Sequence, residues 1–424
     1  MPAGRRTFLA ALGAGAGAAL LAFRPSDAGA RHPAYFEGIS RALAEAGIAT
    51  PTMVIDRERM LANVQRVLAH IGGRMQLRLV AKSLSSLPLL DPLMQAAATQ
   101  RLMVFSLPAL QQIAAERPAT DLLLGKPLPV AAAARFYEHA ANNAFHPERQ
   151  LQWLVDTPQR LAQYRSLAQG RGLRMRINIE IDVGLHRGGV ESPRELQEMI
   201  DIIASEPRLS LAGLMGYDAH VAKLPGIPGL RERALAESKR RYAECASLAR
   251  KAMPHGEPAC FNTGGSLTYR LHDGSADANE LALGSALLKP GDFDSPLLHD
   301  LMPAAFIATP VLKAGRAFLL PYGVETIGAA AAAWDVNQRQ AYFIYGGNWL
   351  ADPVSPAGLT ESSLYGTSSN QQLLVGSGAQ GLRPDDFVFL RPRQSEAVLQ
   401  QFGDIAVFED GRIADWWPAL PSCA

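Results

Sequence analysis

Short apolar runs alternate with amphipathic stretches over residues 52 to 285. After the first run, Met60, Val64, Val67 and Ile71 recur at the spacing of one helix face. Parallel strands need helical crossovers, so eight such repeats predict a (β/α)8 barrel over residues 50–300. The predicted strands are Thr52–Ile55, Leu77–Ala81, Leu102–Ser106, Asp121–Leu124, Leu151–Val155, Met175–Ile181, Leu211–Tyr217 and Ala259–Asn262.

The pattern changes after Pro303, where short apolar pieces are separated by turns. Residues 341–345 and 387–390 are typical of strands, and Gly346-Gly347 is typical of a turn. These features predict a smaller C-terminal β domain over residues 301–424, to which residues 31–49 also belong. The predicted fold class is therefore α/β, with a TIM barrel followed by a β domain.

The first 30 residues have the pattern of an export signal. Arg5-Arg6 precedes a glycine-broken apolar run to Phe23, and Ala28-x-Ala30 suits signal peptidase. Together they predict a bacterial twin-arginine (Tat) signal cleaved after Ala30, with the Tat export machinery as a transient partner. A membrane anchor is disfavoured, because the run is about 16 residues and a span needs roughly 20. We expect a periplasmic or extracellular protein.

Composition and charge exclude several classes of protein. With 48% hydrophobic and 19% charged residues, the 424-residue chain is globular and long enough for two domains. A formal net charge of +1 gives no bulk attraction to nucleic acid. Cys245, Cys260 and Cys423 have neither the spacing of a disulfide framework nor that of a zinc site.

The candidate chemistry begins at Lys82, which closes the second predicted strand. In a TIM barrel, residues at the carboxyl ends of the strands line the active site. A lysine amine desolvated at such a position can form a Schiff base with a carbonyl cofactor. An ordinary exposed lysine at a strand end is the alternative.

Two later strand ends carry further polar candidates. Arg187 follows a glycine turn after the sixth predicted strand. Its guanidinium is able to hold an anionic group, although an ion pair with Asp182 is an equal alternative. After the seventh predicted strand, Tyr217 can contact a cofactor ring and His220 can transfer protons near neutral pH. A structural role is the alternative for His220.

Two turns rich in glycine, serine and threonine follow at the end of the barrel sequence. They contain Thr263-Gly264-Gly265 and Gly284-Ser285. Backbone N–H groups approach a phosphate closely where no side chain obstructs them, and the phosphate sites of barrels occupy the last strands. The two turns therefore predict a phosphate site, and Lys82 at an early strand end strengthens that prediction.

The order of these motifs resembles that of fold-type III pyridoxal-phosphate enzymes, whose barrel is that of alanine racemase. It is most similar to the branch of D-threonine aldolases and D-serine dehydratases. Thr50 to Asp56 is similar to that branch's T-P-x-x-x-x-D, and Arg78 to Ser85 to its R-P-H-x-K-x-x-K. Asp182 to Val190 matches D-x-G-x-x-R-x-G-V, Thr263 to Tyr269 resembles G-G-G-T-x-T-Y, and Glu280 to Ser285 matches E-x-x-x-G-S.

The resemblance implies pyridoxal 5'-phosphate as the cofactor and gives the matching residues their roles. Lys82 would form the Schiff base, and Arg187 would lie near the cofactor's phenolic oxygen. Two turns would hold the phosphate. The first begins at Thr263 and contributes Gly264 and Gly265, and the second contributes Gly284 and Ser285. The resemblance also implies a homodimer that completes each site across subunits.

The sequence departs from this family at the lysine motif and at the metal site. Val80 and Ser85 stand where the branch carries a histidine and a second lysine, and Gln394 and Glu396 stand at its metal-ligand positions. Gln394 is a poor zinc ligand, whereas Glu396 is able to bind a hard cation, so a divalent metal stays an open question. Without one, His220 and Glu396 are candidate acids or bases, and an ordinary polar loop is the alternative for Gln394 and Glu396.

These observations predict a lyase, an aldolase or a dehydratase (deaminase) of a β-hydroxy-D-amino acid. One alternative is a metal-independent racemase, whose second base would be Tyr322, Tyr345 or Tyr365. The other is an exported protein that binds the cofactor or a ligand without turnover. Neither the particular D-amino acid nor the partner of the pyridine nitrogen follows from the sequence.

Overall fold

A computed structural model of the chain describes residues 24–138, 144–253, 259–274, 277–323, 325–362 and 365–421. The predicted Arg5-Arg6 motif and Cys423 lie outside these residues. In the part of the chain that the structure describes, no helix has both the length and the hydrophobicity that crossing a membrane requires. The chain divides into two compact units.

The first unit contains a closed barrel of parallel strands and comprises Ile55–Ala305, Arg393–Val407 and Asp415–Ala424. The strand β1 (Thr52–Asp56) lies outside this barrel. The barrel strands are β2 (Gln76–Val80), β3 (Arg101–Val104), β4 (Asp121–Leu124), β5 (Leu151–Val155), β6 (Met175–Ile181), β7 (Leu209–Gly216), β8 (Cys260–Thr263) and β9 (Glu280–Leu283). The predicted fold class is confirmed.

The expectation that β1 opens the barrel is wrong, although residues 52–56 do form a strand. β1 belongs to a nine-stranded sheet, and β9 closes the barrel instead by pairing with β2, from Gln76 opposite Glu280 to Leu79 opposite Leu283. All residues of β1 are buried, so its apolar pattern equals that of a barrel strand. The pairing partner of a strand is a tertiary property that a local pattern does not carry.

Helices follow the barrel strands and begin where the sequence supplies a cap. The side chains of Thr157 and Ser192 accept hydrogen bonds from the backbone N–H of Arg160 and Glu195, so these two residues cap the helices that follow them. The first described helix of the chain is α1 (Ala34–Glu45). The helices of the barrel unit are α2 (Arg57–Ile71), α3 (Leu87–Ala96), α4 (Leu107–Glu116), α5 (Val130–Glu138), α6 (Pro147–Gln150), α7 (Pro158–Arg171), α8 (Pro193–Ser205), α9 (His220–Lys223), α10 (Leu230–Ala252) and α11 (Ser285–Leu288).

A buried ion pair occupies the barrel interior below the site. The Arg78 guanidinium is buried and donates to Glu280 Oε1 at 2.6 Å and to Asp121 Oδ1 at 2.6 Å. It also donates to the carbonyl of Leu102 at 3.0 Å. A buried charge is tolerated only where such partners replace water, so Arg78 stays paired inside the barrel, two residues before β2 ends.

The second unit is built on antiparallel pairing and comprises, in its described parts, residues 24–54, 306–392 and 408–414. Its strands are β10 (Ala305–Ala317), β11 (Gln340–Tyr345), β12 (Ala351–Ser355), β13 (Thr360–Glu361), β14 (Gln371–Gly376) and β15 (Phe387–Pro392). β10 pairs with β11 and β15, and β14 pairs with β11 and β13. A core of Phe318, Leu320, Ala341, Leu373 and Val375 is buried in this unit.

Four short elements complete the description. Helix α12 (Glu325–Trp334) lies in the second unit, and α13 (Ser395–Val398) begins where the chain returns to the first unit at Arg393. The strands β16 (Ile405–Glu409) and β17 (Arg412–Trp417) are the last members of the nine-stranded sheet. The return at Arg393 matters for the site, because it brings α13 into the barrel unit.

Candidate active site

A cavity opens at the carboxyl ends of the barrel strands, where the sequence predicts the chemistry. The predicted residues that line it are Lys82, Arg187, Tyr217, Gly264, Gly265, Gly284, Ser285 and Glu396. Further lining residues, not predicted, include Ser83, Phe105, Ser266 and Asn262. Residues from at least four strand ends therefore meet in one place, as expected for the functional end of a barrel.

The Lys82 amine faces both a carboxylate and an aromatic ring. Its Nζ lies 3.7 Å from Glu396 Oε1 and 4.8 Å from the centroid of the Phe105 ring. The side chain of Lys82 is 45% exposed, so the amine is accessible from the cavity. Helix α13 supplies Glu396, and this position explains how a residue far along the chain reaches a barrel strand end.

Two serine hydroxyls hold the other oxygen of Glu396. Ser83 Oγ and Ser285 Oγ each lie 3.2 Å from Glu396 Oε2, and the two hydroxyls are 3.0 Å apart. Hydroxyl donors of this kind fix the direction of a carboxylate and leave its second oxygen for another partner. Ser285 was predicted as a phosphate contact, whereas Ser83 was not singled out by the sequence.

The glycine turns leave room where a side chain would intrude. A Cβ at Gly265 would lie 2.5 Å from Tyr217 Cε2, and a Cβ at Gly284 would lie 2.9 Å from the Val80 carbonyl oxygen. Gly264 has a φ of +66°, in the left-handed region that favours glycine. The backbone of both turns therefore comes close to its neighbours and stays open toward the cavity.

Two backbone N–H groups of the second turn converge on a single oxygen. The N–H groups of Gly284 and Ala286 both donate to Ser266 Oγ, each at 3.1 Å. Converging N–H groups are the donors that an anionic oxygen uses in a phosphate cradle. A phosphate oxygen would accept from these two N–H groups in the place that Ser266 Oγ occupies.

The position of Arg187 decides between its two predicted roles. Its guanidinium carbon lies 4.9 Å from the centroid of the Tyr217 ring, and both side chains line the cavity. Asp182 instead pairs with His186 Nδ1 at 2.6 Å and approaches Arg241 Nη1 at 3.9 Å. The alternative of an Asp182–Arg187 ion pair is therefore not what the structure contains.

Asp182 organises the loop that carries Arg187. Its Oδ1 accepts from the backbone N–H groups of Gly184 and His186 at 2.9 and 3.0 Å. Burial disfavours the charged carboxylate, yet these N–H donors and the His186 ring hold the pKa of Asp182 below its ordinary value. The charge on Asp182 is thus used to shape the loop after β6.

His220 and Thr263, both predicted for the site, do not line the cavity. His220 begins α9, and its Nε2 would lie 3.3 Å from a Cβ at Gly184, beside the Asp182 loop. Its Nδ1 is buried without a hydrogen-bond partner, and burial lowers the pKa of the ring. Thr263 is the last residue of β8 and is buried just before the Gly264 turn.

Several residues near the site carried no signal that sequence reasoning used. Asp218 is buried beneath the first glycine turn, where it bonds to Thr268 Oγ at 2.5 Å and His272 Nε2 at 2.8 Å. Glu180, on β6, faces an adjoining cavity together with Asp156 and Arg187. Burial, reinforced by Asp156 and opposed by Arg187, raises the pKa of Glu180 to about 7. Polar residues at alternate positions of an apolar strand were the signal available for Glu180.

The predicted metal-ligand positions have different surroundings. Gln394 donates its side-chain amide to Asp292 Oδ2 at 2.9 Å, whereas Glu396 faces the cavity. Among the described residues, no group of three or more histidine, cysteine, aspartate or glutamate side chains is arranged to hold a metal ion.

The described residues that line this cavity do not include Tyr322, Tyr345 or Tyr365, which the racemase alternative named for a second base. Of the described residues that line it, Tyr217 is the only tyrosine. Tyr322 is 98% exposed, and the hydroxyl of Tyr365 donates to the carbonyl of Leu319, both within the second unit. The described lining therefore supplies Lys82 as its amine base and Glu396 as its carboxylate.

Sequence comparisons place these features in a known context. The family model described as alanine racemase, N-terminal domain, matches residues 55–290. Two curated relatives, both named 3-hydroxy-D-aspartate aldolase, come from Paracoccus denitrificans and its strain Pd 1222. They are 30% and 27% identical over 151 residues, which is 34% of this chain and 36% of each relative. The match thus spans about a third of the length of these curated relatives.

Solved structures share the fold at low identity. D-threonine aldolase from Filomicrobium marinum superposes with a TM-score of 0.68 at 16% identity, covering 88% of this chain and 95% of that one. D-threo-3-hydroxyaspartate dehydratase from Delftia sp. HT23 gives a TM-score of 0.70 at 16% identity, with 88% and 98% covered. At this identity the likeness shows the fold alone.

Proposed function

Because this chain belongs to the alanine racemase N-terminal domain family, whose model covers residues 55–290, we propose that it is a pyridoxal-phosphate-dependent lyase acting on β-hydroxy-D-amino acids. The observation that carries the proposal is the accessible Lys82 amine, which shares one cavity with two open glycine turns. The names of the relatives, an aldolase and a dehydratase of β-hydroxy-D-amino acids, support the reaction class.

The residues present fit the cofactor. Lys82 supplies the amine that would hold its aldehyde carbon, and its 45% exposure leaves that amine reachable. The converging N–H groups of Gly284 and Ala286, with the open turn at Gly264 and Gly265, supply the donors and the space for its phosphate. Arg187 and Tyr217 line the same cavity and would hold the ring.

Bound pyridoxal phosphate supplies an electron sink for the bond that breaks at the substrate's Cα. The chain's own residues supply binding, orientation and proton transfer. Lys82 is placed to move a proton at Cα, and Arg187 brings a permanent positive charge to the cavity. Phe105 and Met103 contribute apolar side chains to the lining of the cavity.

The proposal is tested by the visible absorbance of residues 24–424 purified with added pyridoxal phosphate, before and after borohydride. We expect a band that borohydride removes and that Lys82→Ala lacks, because Lys82 is the cavity's only amine among the described lining residues. The matched control is Lys251→Ala, which changes an exposed lysine of α10. A wild-type protein without the band, or a band retained in Lys82→Ala, would overturn the proposal.

Product analysis then separates the reactions. Glycine and an aldehyde from a β-hydroxy-D-amino acid identify an aldolase, whereas a 2-oxo acid and ammonia identify a dehydratase. Both enantiomers appearing from alanine or serine would replace the proposal by a racemase. Cofactor bound without turnover over a broad D-amino-acid panel would replace it by an exported binding protein.

Export through the twin-arginine route and a homodimer stay predictions from the sequence. One structural fact bears on the predicted cleavage after Ala30: in the second unit, the Ala28 N–H donates to Asn337 Oδ1 at 2.8 Å and the Ala30 N–H to the Ala357 carbonyl at 3.3 Å. Arg24 likewise donates to the carbonyl of Trp334 at 2.9 Å. The mass of the periplasmic protein would give its mature N-terminus directly, and light scattering would give its oligomeric state.

A further inference from the structure

Lys82 lines two adjoining cavities, and Glu396 is the one carboxylate residue among the described residues of the cavity that contains the glycine turns. Its side chain is 28% exposed, so it is neither locked in the core nor free in bulk solvent. A partly desolvated carboxylate beside an amine is a pair between which a proton can pass.

The two oxygens of Glu396 have separate partners. Oε2 lies within 3.2 Å of the Ser83 and Ser285 hydroxyls, which orient the carboxylate. Oε1 lies 3.7 Å from Lys82 Nζ, and both residues line the cavity. Since the serines hold one oxygen, the other is left for a group that enters the cavity beside Lys82.

We propose that Glu396 and Lys82 form a two-residue proton relay between the Cα and the β-oxygen of the substrate. The inference rests on the proposed function, because it needs a substrate with a β-hydroxyl held at Lys82. Lys82 serves Cα, and Glu396 Oε1 serves the β-oxygen. A gap of 3.7 Å between Oε1 and Nζ is closed by small side-chain movement or by one water.

The relay balances the protons of an aldol cleavage. The Cα–Cβ bond breaks, its electron pair stays with Cα, and Cβ becomes an aldehyde carbon as the β-oxygen loses its proton to Glu396. That proton passes from Glu396 to Lys82, and Lys82 delivers it to Cα to give glycine. No proton is gained or lost overall, and no oxidant or reductant is needed.

The same relay, run in reverse, balances a dehydration. Lys82 takes the proton from Cα, and the proton passes to Glu396. Glu396 then protonates the β-oxygen as the Cβ–O bond breaks, so the oxygen leaves as water. The unsaturated amine that remains hydrolyses to a 2-oxo acid and ammonia. Lys82 therefore serves Cα and Glu396 serves the β-oxygen in both lyase reactions.

The other candidates from the sequence are placed less well for this step. His220 does not line the cavity, and its ring lies beside Gly184. Gln394 cannot accept and return a proton, and its amide is engaged with Asp292. Tyr217 packs under Arg187, and burial raises the pKa of its hydroxyl, opposed by Arg187.

The experiment compares three isosteric or truncating variants of the holoenzyme: Glu396→Gln, Lys82→Ala and, as matched control, Glu198→Gln, which changes an exposed surface pair with Arg194 on α8. Three readouts are taken: the cofactor absorbance band with the melting temperature, deuterium exchange at Cα of D-alanine, and turnover of β-hydroxy-D-amino acids. D-Alanine lacks a β-oxygen, so its exchange needs Lys82 but not the second member of the relay.

We expect Glu396→Gln to keep the band and to keep D-alanine exchange within about fivefold, but to lose about 100-fold or more in turnover of β-hydroxy substrates. Lys82→Ala should lose the band, the exchange and the turnover, while Glu198→Gln should match the wild type in all three. Glu396→Gln turnover within about threefold of wild type would overturn the relay, as would an equal loss of exchange and turnover. A wild-type protein without the band would instead overturn the proposed function.

Discussion

Gly265 and the ring of Tyr217 are in such close approach that a Cβ on Gly265 would lie 2.5 Å from Tyr217 Cε2. Tyr217 in turn carries the Arg187 guanidinium 4.9 Å from its ring centroid. The first glycine turn, the ring and the guanidinium therefore form a stack along one wall of the cavity. A change at Gly265 is transmitted to Arg187 through the ring.

Replacing Gly265 by alanine should weaken cofactor binding by about tenfold or more, because the added methyl displaces Tyr217 and tilts the stack. The measurement is a titration of the cofactor band with pyridoxal phosphate. Gly226→Ala is the matched control, since a Cβ at Gly226 meets nothing within 4 Å. An unchanged affinity in Gly265→Ala would show that the turn yields without moving the ring.

Titration of Glu180 should make the stability of the folded protein depend on pH. Burial and Asp156 raise its folded pKa to about 7, from 4.5 for a free glutamate. Between these values the folded protein binds a proton that the unfolded chain has released, so stability falls as pH rises from 4.5 to 7 and levels off above.

Glu180→Gln removes the carboxyl group that binds this proton. The free energy of unfolding should therefore depend less on pH over the same interval. The melting temperature of the variant relative to wild type is therefore expected to rise between pH 4.5 and pH 7. Glu198→Gln, at an exposed position of α8, serves as the control and should run parallel to wild type. Parallel curves for Glu180→Gln and wild type would contradict a raised pKa at Glu180.

Chelation should leave the enzyme active. Gln394, at one predicted ligand position, is bonded to Asp292, and Glu396 is bonded to two serines and faces Lys82. After dialysis against EDTA we expect the cofactor band and the turnover of β-hydroxy-D-amino acids to be retained. Activity lost in EDTA and restored by zinc or manganese would instead assign Glu396 to a metal.

Much of the fold was predictable because barrel strands and helices have local signatures. Seven of the eight predicted barrel strands overlap strands that the closed barrel contains, from Leu77–Ala81 to Ala259–Asn262. The remaining prediction, that the first strand opens the barrel, was wrong. β1 has the same buried apolar pattern but pairs in the other sheet, and Glu280–Leu283 closes the barrel. The prediction identified the turn at Gly284-Ser285 but assigned no strand to Glu280–Leu283, which directly precede it.

The candidate site was predictable where a residue stands at a strand end. Lys82, Tyr217 and the glycine turns stand at the ends of β2, β7, β8 and β9, and Arg187 stands on the loop after β6. Parallel strands bring these ends together. His220 has the same local position, yet α9 turns its ring toward Gly184 and away from the cavity lining. A strand end predicts proximity to the site, and the following backbone decides the direction.

The sequence by itself determined the barrel, the second β-rich unit, the lysine at a strand end and the glycine turns, because each has a local pattern of neighbouring residues. Only the tertiary structure decided that β1 leaves the barrel, that Arg187 packs on Tyr217 instead of pairing with Asp182, and that Glu396 meets Lys82. Glu396 lies 314 positions after Lys82, and no periodic pattern spans that interval. The contact exists because the chain returns to the barrel unit at Arg393. Its proposed role in proton transfer depends on burial and on two serines that only the fold places beside Glu396.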